Sequence, residues 1–330
     1  MTAGRRLRVA FAGDAARFAA WAPGGIAAVT GAARPSGGTA RPADGAASRI
    51  AATFVDTRDA EPDAVAASLR AVRPDVVVAL GVAEHDAEAL AGAGAPVLGV
   101  ILPAERPPVW ALKAGAPGER PPQPILDAAA AEERGRLWGP GSPGAACDRL
   151  VAIDPLDAVG ARLWRTIAPP VDDPLFAPVG RAHRPPRIAC LAPSTEHREE
   201  WLAEAKHLHD VRHVAHGITP DRLPGLLDEI DVGLVAAPTE RPTFDHRAAL
   251  HLAAGHLLVT ESLRPLHGLE PGLDLVEAAT PDALGRILEA VRTAPDLHRR
   301  TRIRGRLKAE RFRASHVWSR VLHDFLRDLA

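Results

Sequence analysis

The stretch RAALHLAAGHLLVTE, residues 247–261, has the pattern of a helix that runs directly into a buried strand. Its helical part carries small side chains, includes Arg247 and His251, and stops at Gly255. A helix packed only for stability would use leucine at such positions. Small residues that end on a glycine instead predict the close approach of a backbone, either to another element or to a ligand. The strand that follows is apolar throughout, as expected of a parallel strand covered on both faces.

Apolar strands of the same kind recur along the chain and alternate with helical patterns. The candidate strands are 7–13, 52–56, 75–81, 96–102 and 149–153 in the first half, and 187–192, 211–216, 231–237, 256–260 and 273–277 in the second. The candidate helices between them include 62–72, 196–208, 219–229, 244–254 and 281–293. Strand–helix alternation sustained twice over predicts an α/β protein with two Rossmann-like, doubly wound domains.

The domain boundary is predicted from a Pro-rich extended segment, which suits a linker. We assign 1–170 to the first domain, 171–186 to the linker and 187–300 to the second domain. Residues 301–330 then form an amphipathic C-terminal helix, with apolar residues at helical spacing.

Two further segments do not have the pattern of regular structure. Residues 24–48 are rich in Gly, Ala and Pro, which predicts a flexible loop. Residues 103–124 are interrupted by prolines but contain large apolar side chains, which predicts an ordered lip on a cleft.

Composition excludes several classes of protein. The chain of 330 residues is too long for one ordinary core and suits two domains. A formal net charge of -1 gives no global field that would attract nucleic acid, so no nucleic-acid partner is expected. No apolar run is long enough for a signal peptide or a membrane span, and the two cysteines lack metal-ligand spacing. A cytoplasmic compartment is the expectation.

Basic residues crowd the start of the C-terminal helix. Either a solvated helix face or a surface for an anionic partner explains this pattern, and a peripheral membrane contact to a lipid acceptor is one form of the second. The residues are Arg299, Arg300, Arg302, Arg304, Arg306, Lys308, Arg311 and Arg313.

Common cofactor motifs are absent. The first strand ends in FAGDAARF, with Gly13 followed by Asp14, so the Gly-x-Gly-x-x-Gly turn of nicotinamide and flavin enzymes is missing. There is no P-loop and no Gly-x-Ser-x-Gly elbow, and the scattered histidines show no metal-site spacing. We therefore expect neither a cofactor nor a bound metal.

The second half contains two candidate anion sites at helix starts. In PSTEHREEWL, Ser194 or Thr195 can cap the helix, and Arg198 follows in its first turn. This pattern fits either a phosphate site or a plain N-cap with a surface arginine. In PTFDHR, Thr243 or Asp245 is the candidate cap. Arg247 in the first turn is electrostatically unfavourable unless it points at an anion.

Other polar residues follow predicted strands. His216 and Gly217 lie at the carboxyl end of a strand, where open α/β sheets bind ligands. Glu261 begins the polar loop that follows the predicted strand 256–260. His251 on an apolar helix face is either a core histidine or a ligand contact.

These stretches, together with the terminal GRLKAERFRASHVWSRVLHDFL, resemble the C-terminal half of GT-B glycosyltransferases. The resemblance is closest to the glycosyltransferase family 1-like group related to spore-maturation proteins. In that group an arginine, a short helix, two small residues and a glycine precede a strand, which Arg247 and Ala253-Ala254-Gly255 match. His316, Trp318 and Arg320 match the closing pattern of the group. The resemblance covers residues from about 150 to 330. Over the first 150 residues it rests only on the order of strands and helices.

The resemblance implies two domains facing a cleft and a C-terminal helix that crosses back to the first domain. It implies a nucleotide-sugar donor held by the second domain and an acceptor of unknown type (small molecule, glycan, lipid or protein) held by the first. The candidate residues for the donor and its phosphates are Ser194, Thr195, Arg198, His216, Gly217, Thr243, Phe244, Arg247, His251, Gly255 and Glu261, of which Arg198 and Arg247 would compensate the diphosphate.

The acceptor side offers two candidate general bases, Asp14 and His85, each after a first-domain strand. The alternatives are a helix cap for Asp14 and a surface histidine for His85. One departure from the family pattern concerns Leu250, which stands where many members carry a ribose-binding glutamate. It keeps open a catalytically degenerate, glycosyltransferase-like binding protein. A nucleotide-sugar epimerase is a third hypothesis, and it would need acidic residues in the cleft.

Overall fold

The computed structural model describes residues 6–30, 50–102, 139, 141–154, 163–238 and 243–330. Within them the chain forms two parallel sheets in sequence order. The first sheet has the strand order β2-β1-β3-β4-β5-β6 and the second has the order β11-β10-β9-β7-β8. This confirms the predicted α/β class with two Rossmann-like sheets.

The first sheet is covered by helices on both faces, which is why its central strands are apolar throughout. Its strands are β1 Leu7–Gly13, β2 Ile50–Asp56, β3 Val76–Leu80, β4 Val97–Ile101, β5 Arg149–Ala152 and β6 Leu163–Thr166. Its helices are α1 Ala15–Phe18, α2 Gly25–Thr30, α3 Pro62–Val72 and α4 Ala87–Ala91.

The second sheet is likewise covered on both faces. Its strands are β7 Ile188–Cys190, β8 Val211–His213, β9 Val232–Val235, β10 Leu257–Thr260 and β11 Val276–Glu277. Its helices are α5 Glu196–Leu208, α6 Leu223–Asp228, α7 His246–Ala253 and α8 Pro281–Thr293. The stretch 247–261 is therefore α7 followed by β10. Each predicted strand is present, usually shorter than predicted, and β6 was not predicted.

The predicted loop 24–48 is wrong at its start, because α2 occupies Gly25–Thr30. Asp172 fixes this helix: its carboxylate accepts hydrogen bonds from the backbone N–H groups of Gly24 at 2.7 Å and Ile26 at 3.2 Å. Burial raises the pKa of Asp172 to about 7. The remainder of that segment, 31–48, and the predicted lip 103–124 lie outside the described residues.

The C-terminal segment is two helices rather than the single amphipathic helix predicted. Helix α9 spans Arg299–Lys308, a 3₁₀ turn follows, and α10 spans Ala314–Leu329. The chain turns here because Val171 takes up backbone hydrogen bonds that a continuous helix would form within itself. The N–H of Val171 donates to the carbonyl of Phe312 at 2.7 Å, and its carbonyl accepts from the N–H of Ala314 at 2.8 Å.

Helix α10 crosses back to the first sheet, as predicted. Its apolar face packs on that sheet, where Trp318 is fully buried and meets the ring of Phe11 at a centroid distance of 5.3 Å. The indole Nε1–H of Trp318 also donates to the carbonyl of Trp21 at 2.7 Å. The packing of α10 therefore closes one face of the first sheet with a helix from the far end of the chain.

The basic run of α9 is mostly not a solvated face. Arg302 donates through Nε to the carbonyl of Gly255 at 3.0 Å, and Arg306 donates to the carbonyl of Ala177 at 2.8 Å. Arg304 donates to a carboxylate oxygen of Asp274 at 3.1 Å. These bonds tie α9 to the second sheet and to the segment that joins the two sheets. Arg299 and Arg300 remain exposed.

Candidate active site

A cavity of about 280 Å3 lies where the carboxyl ends of the strands of both sheets face each other. Strand ends of this kind are where open α/β sheets bind ligands, because the loops there diverge from the sheet. The first sheet contributes 15–21, Ile26, Leu102 and Ile153, and the second contributes 191–193, 214–220, Leu223, Pro238, 245–247 and Leu250.

Two aromatic rings join the halves of the cavity. The indole of Trp21 stacks on the imidazole of His246, with ring centroids 4.6 Å apart and an angle of 19° between the planes. Burial lowers the pKa of His246 to about 4, so the imidazole is neutral near neutral pH. We call this stacked pair the aromatic floor of the cavity; it lies between the loop after β1 and the start of α7.

Arg247 faces the cavity from the first turn of α7, as its sequence position suggested. Its side chain is 24% exposed, and its Nη1 lies 2.9 Å from a carboxylate oxygen of Asp245. Asp245 is the N-cap, and it also accepts from the backbone N–H groups of Arg247 at 2.7 Å and Ala248 at 3.4 Å. The Asp245 carboxylate therefore already engages these two amides, so at this helix start Arg247 is the donor that faces the cavity.

Arg198 does not line the cavity, which corrects its assignment to the diphosphate. It is fully buried, and it donates through Nε to the carbonyl of Ala236 and through Nη1 to the carbonyl of Pro193, each at 3.0 Å. Its Nη2 lies 3.6 Å from a carboxylate oxygen of Asp245. Arg198 thus fastens two loops after neighbouring strands to the N-cap of α7 and acts on the site only through them.

Neither hydroxyl of the first candidate helix start reaches the cavity. Thr195 is the cap of α5, accepting from the N–H of Arg198 at 3.3 Å, and it is 1% exposed. The hydroxyl of Ser194 donates to a carboxylate oxygen of Glu199 at 2.6 Å. The N-cap alternative therefore holds for Thr195 but not for Ser194, and the surface arginine that accompanied it is wrong, because Arg198 is buried.

Glu261 is also used within the protein. One oxygen accepts from the backbone N–H of Ala237, and the other lies 2.8 Å from Nε2 of His197. The carboxylate therefore joins the loops after β9 and β10 to the first turn of α5, outside the residues that line the cavity.

Thr243, Phe244, His251 and Gly255 also lie outside the cavity lining, so the structure does not support them as donor contacts. The first three are buried at 1% exposure or less. Phe244 belongs to the apolar core, and Thr243 donates to a carboxylate oxygen of Asp154 at 3.4 Å. Gly255 has φ +78° at the turn from α7 to β10, where Val179 packs closely against it. A left-handed turn and tight packing explain this glycine.

His251 is paired with a second buried histidine, His256. Their Nδ1 atoms are 2.9 Å apart, and Nε2 of His256 lies 2.9 Å from the carbonyl of Leu227. Burial lowers the pKa of His251 to about 3 and that of His256 well below its usual value, so both rings are neutral. A carbonyl can only accept, so His256 donates through Nε2, and its Nδ1 accepts a hydrogen bond from the Nδ1–H of His251.

This pair predicts a loss of stability in acid. The pKa of His251 is lower in the folded chain than in the unfolded one, so the unfolded chain binds more protons below about pH 6.5. The stabilising contribution is complete above that pH and is lost as the pH falls toward the folded pKa. Urea titrations between about pH 7 and pH 5 should show a steeper loss of unfolding free energy in the wild type than in His251→Met.

The matched control is His207→Met, at an exposed histidine of α5, which should keep the wild-type slope. Asp172, whose folded pKa is raised, contributes the opposite slope, so the comparison between variants isolates the histidine pair. An unchanged slope in His251→Met would show that the pair is not the titrating element.

Neither candidate base is available to an acceptor. Asp14 caps α1, accepting from the N–H of Ala16 at 2.8 Å, and it forms an ion pair with Arg58. The helix-cap alternative therefore holds for Asp14. His85 is 8% exposed and its Nε2–H donates to the carbonyl of Leu80 at 3.0 Å, so it is neither a surface histidine nor a cleft residue. Burial lowers the pKa of His85.

No protein-family profile and no curated protein matches the chain. Among solved structures, Anabaena HepE crystallised with UDP-glucose is similar over 98% of this chain and 100% of its own, with a TM-score of 0.52 and 10% identity. Sucrose-phosphate synthase from Thermosynechococcus elongatus is similar over 98% of this chain and 100% of its own, with a TM-score of 0.50 and 13% identity. The chain has the GT-B fold.

In this GT-B fold, His216, Gly217 and Arg247 are the predicted donor residues that the structure brings to the cavity. His216 and Gly217 are exposed in the loop after β8, and no atom would obstruct a Cβ on Gly217. Leu250 lines the same cavity. The described residues contain no cluster of three or more His, Cys, Asp or Glu suited to a metal, and no helix among them could cross a bilayer.

Sequence reasoning missed the aromatic floor and the first-sheet wall of the cavity. Trp21 and Phe18 follow β1 in a region where the sequence suggested only the missing glycine motif and Asp14. His246 stands between the Asp245 cap and Arg247 and was passed over. The signal was available in part, because a tryptophan just after a first strand lies at the edge where ligands bind.

Proposed function

We propose that this protein is a glycosyltransferase that transfers a sugar from a nucleoside-diphosphate-sugar to an acceptor, without a protein-bound metal. In this proposal the second domain, 187–300, holds the donor and the first domain, 1–170, faces the acceptor. The proposal includes membership of the family 1-like, spore-maturation-related group, on the strength of Arg247 and Ala253-Ala254-Gly255.

The observation that carries the proposal is the position of Arg247, at the start of α7, facing a cavity between two carboxyl sheet edges. A guanidinium group there supplies planar hydrogen-bond donors, which match the oxygens of a diphosphate. The exposed loop around Gly217 lets a ligand approach the backbone on the neighbouring side. The stacked Trp21 and His246 offer an apolar surface beside these polar groups.

The structural neighbours support the same reading. One was crystallised with UDP-glucose, and the other is a sucrose-phosphate synthase. Both cover nearly the whole of this chain, including the two sheets that border the cavity. A nucleoside diphosphate is therefore the first ligand class to test.

The proposed reaction is a substitution at the anomeric carbon of the sugar. The bond from that carbon to the diphosphate oxygen breaks, the electron pair leaves with the diphosphate, and a bond to the acceptor oxygen forms. The proton of the acceptor hydroxyl passes to the departing diphosphate or to solvent. Negative charge develops on the departing diphosphate, and the guanidinium group of Arg247 would stabilise that charge.

A second candidate function, binding without catalysis, is favoured by specific observations. Leu250 presents an apolar side chain to the cavity where a carboxylate would hold a ribose, and both candidate bases are occupied. Among the described residues that line the cavity, Asp245 is the one carboxylate, and it is engaged as a cap and ion-pair partner. The same observation disfavours an epimerase, which would need free acidic groups there.

Calorimetric titration with nucleoside diphosphates tests both candidates. We expect Arg247→Ala to weaken binding of the best diphosphate by about thirtyfold, the loss of a charge-assisted hydrogen bond. Arg286→Ala, an exposed arginine on α8, removes the same charge away from the cavity and should leave the affinity unchanged.

Donor hydrolysis, measured with the matching sugar nucleotide, separates the two candidates. Slow hydrolysis that Arg247→Ala abolishes supports the transferase, and binding without any turnover across an acceptor panel supports the binding protein. Failure of every nucleoside diphosphate to bind would contradict both.

A further inference from the structure

A second cavity, of about 290 Å3, lies behind the second sheet, and we call it the rear cavity. It is lined by residues 180–182 of the segment between the sheets, by 295–296, and by Arg299 and Arg302 of α9. Arg302 donates to the carbonyl of Gly255, just before β10, so the rear cavity lies at the amino end of that strand. The cavity of the candidate active site lies at the carboxyl end.

Arg302 is the buried member of this lining, with an exposure of 7%. Its Nε is satisfied by the Gly255 carbonyl, whereas its Nη1 and Nη2 groups make no hydrogen bond to the part of the chain that the structure describes. Arg302 therefore opens on the rear cavity with two donor groups that an anion could bind. Burial lowers the pKa of Arg302; Asp231 raises it, and the charge of Arg299 lowers it further.

The remaining lining residues concentrate the positive charge. Arg181 and Arg299 are both exposed, and within the described ranges neither forms an ion pair or a side-chain hydrogen bond. The single carboxylate of the lining, Asp296, is paired with Arg184. A 3₁₀ helix, Pro295–His298, leads directly into α9, so the rear cavity lies beside the start of a helical run.

We propose that the rear cavity binds a small phosphoryl anion, held by the guanidinium groups of Arg181, Arg299 and Arg302. Forked guanidinium donors match the oxygens of a phosphoryl group in pairs, which selects this chemistry over a single point charge. The concave shape fits a small ligand rather than a flat membrane or a nucleic-acid backbone. The site is distinct from the candidate active site, although α7 connects them, with Arg247 at one end and Gly255 just past the other.

The experiment uses the full chain with Arg247→Ala, so that phosphoryl binding in the cavity of the candidate active site is already weakened. Pyrophosphate and orthophosphate are titrated calorimetrically at constant ionic strength into this background. Adding Arg299→Ala or Arg181→Ala is expected to weaken pyrophosphate binding by about tenfold or more. Adding Arg300→Ala, which removes an exposed neighbouring arginine outside the lining, should change it by less than about twofold.

Three results would overturn the proposal. The first is the absence of pyrophosphate binding in the Arg247→Ala background. The second is an equal loss in Arg299→Ala and Arg300→Ala, which would mean diffuse charge attraction rather than a site. The third is tighter binding of citrate than of either phosphoryl anion, which would assign the site to carboxylates. None of these results depends on whether the protein transfers a sugar.

Discussion

Replacing Arg198 with alanine is expected to lower the free energy of unfolding by about 3–5 kcal/mol, the cost typical of breaking a buried ion pair. The guanidinium is fully buried and holds the carbonyls of Pro193 and Ala236 together with the carboxylate of Asp245. Removal leaves these groups without their cation in a place that water does not reach. Urea unfolding followed by circular dichroism measures the change.

The control for Arg198 is Arg212→Ala, at an exposed arginine whose Nη1 lies 2.7 Å from Glu229. Surface pairs of this kind contribute about 1 kcal/mol or less, so this variant should unfold close to the wild type. The opposite result would show that Arg198 binds the diphosphate. In that case the Arg198→Ala protein would have wild-type stability and would bind nucleoside diphosphate weakly but free nucleoside normally. Equal weakening of both ligands, with lower stability, supports the positioning role.

The fold could be predicted from the sequence because its central strands are apolar on both faces. Stretches such as 75–81 and 231–237 have this composition only when helices cover both sides of a parallel sheet. Strand β6 escaped prediction because its four residues LWRT are half-buried or exposed. They lack the uniform apolar pattern on which the prediction depends.

The candidate site could be located from sequence, but the direction of its side chains could not. Arg198 and Arg247 both lie in the first turn of a helix after a strand, and sequence treats them alike. Arg198 is the third residue after its cap, Thr195, and Arg247 is the second after Asp245. One position is a rotation of about 100° around the helix, enough to turn one guanidinium into the protein and the other toward the cavity.

The aromatic floor escaped prediction for a different reason. Trp21 and His246 are stacked, yet they are separated by most of the chain, and no local pattern links them. Contacts across two domains depend on how the domains pack, which helix α10 fixes through Trp318 and the carbonyl of Trp21. The small side chains of α7 are explained by a contact of the same kind, between α7 and Gly233 of β9.

Gly233→Ala is expected to lower the free energy of unfolding by about 3 kcal/mol, at the upper end of the usual cost of overpacking a core. Gly233 lies in the middle of β9, and a methyl group placed on it would overlap the ring of His251 at Cγ, Nδ1 and Cδ2. The ring cannot withdraw, because it is fully buried and hydrogen-bonded to His256. Small residues on α7 and a glycine on β9 thus let a helix approach a sheet with a histidine between them.

Chemical denaturation of two further proteins decides whether the ring is the obstacle. Gly225→Ala makes the same substitution at an exposed position of helix α6, where no atom obstructs the methyl group, and it should be neutral or stabilising by up to about 1 kcal/mol. In the double variant Gly233→Ala/His251→Ala the ring is gone, so the combined loss should be smaller than the sum of the two single losses. Additive losses would mean that the methyl group is costly for the strand itself, and the close approach of α7 to β9 would then not depend on Gly233 making room for His251.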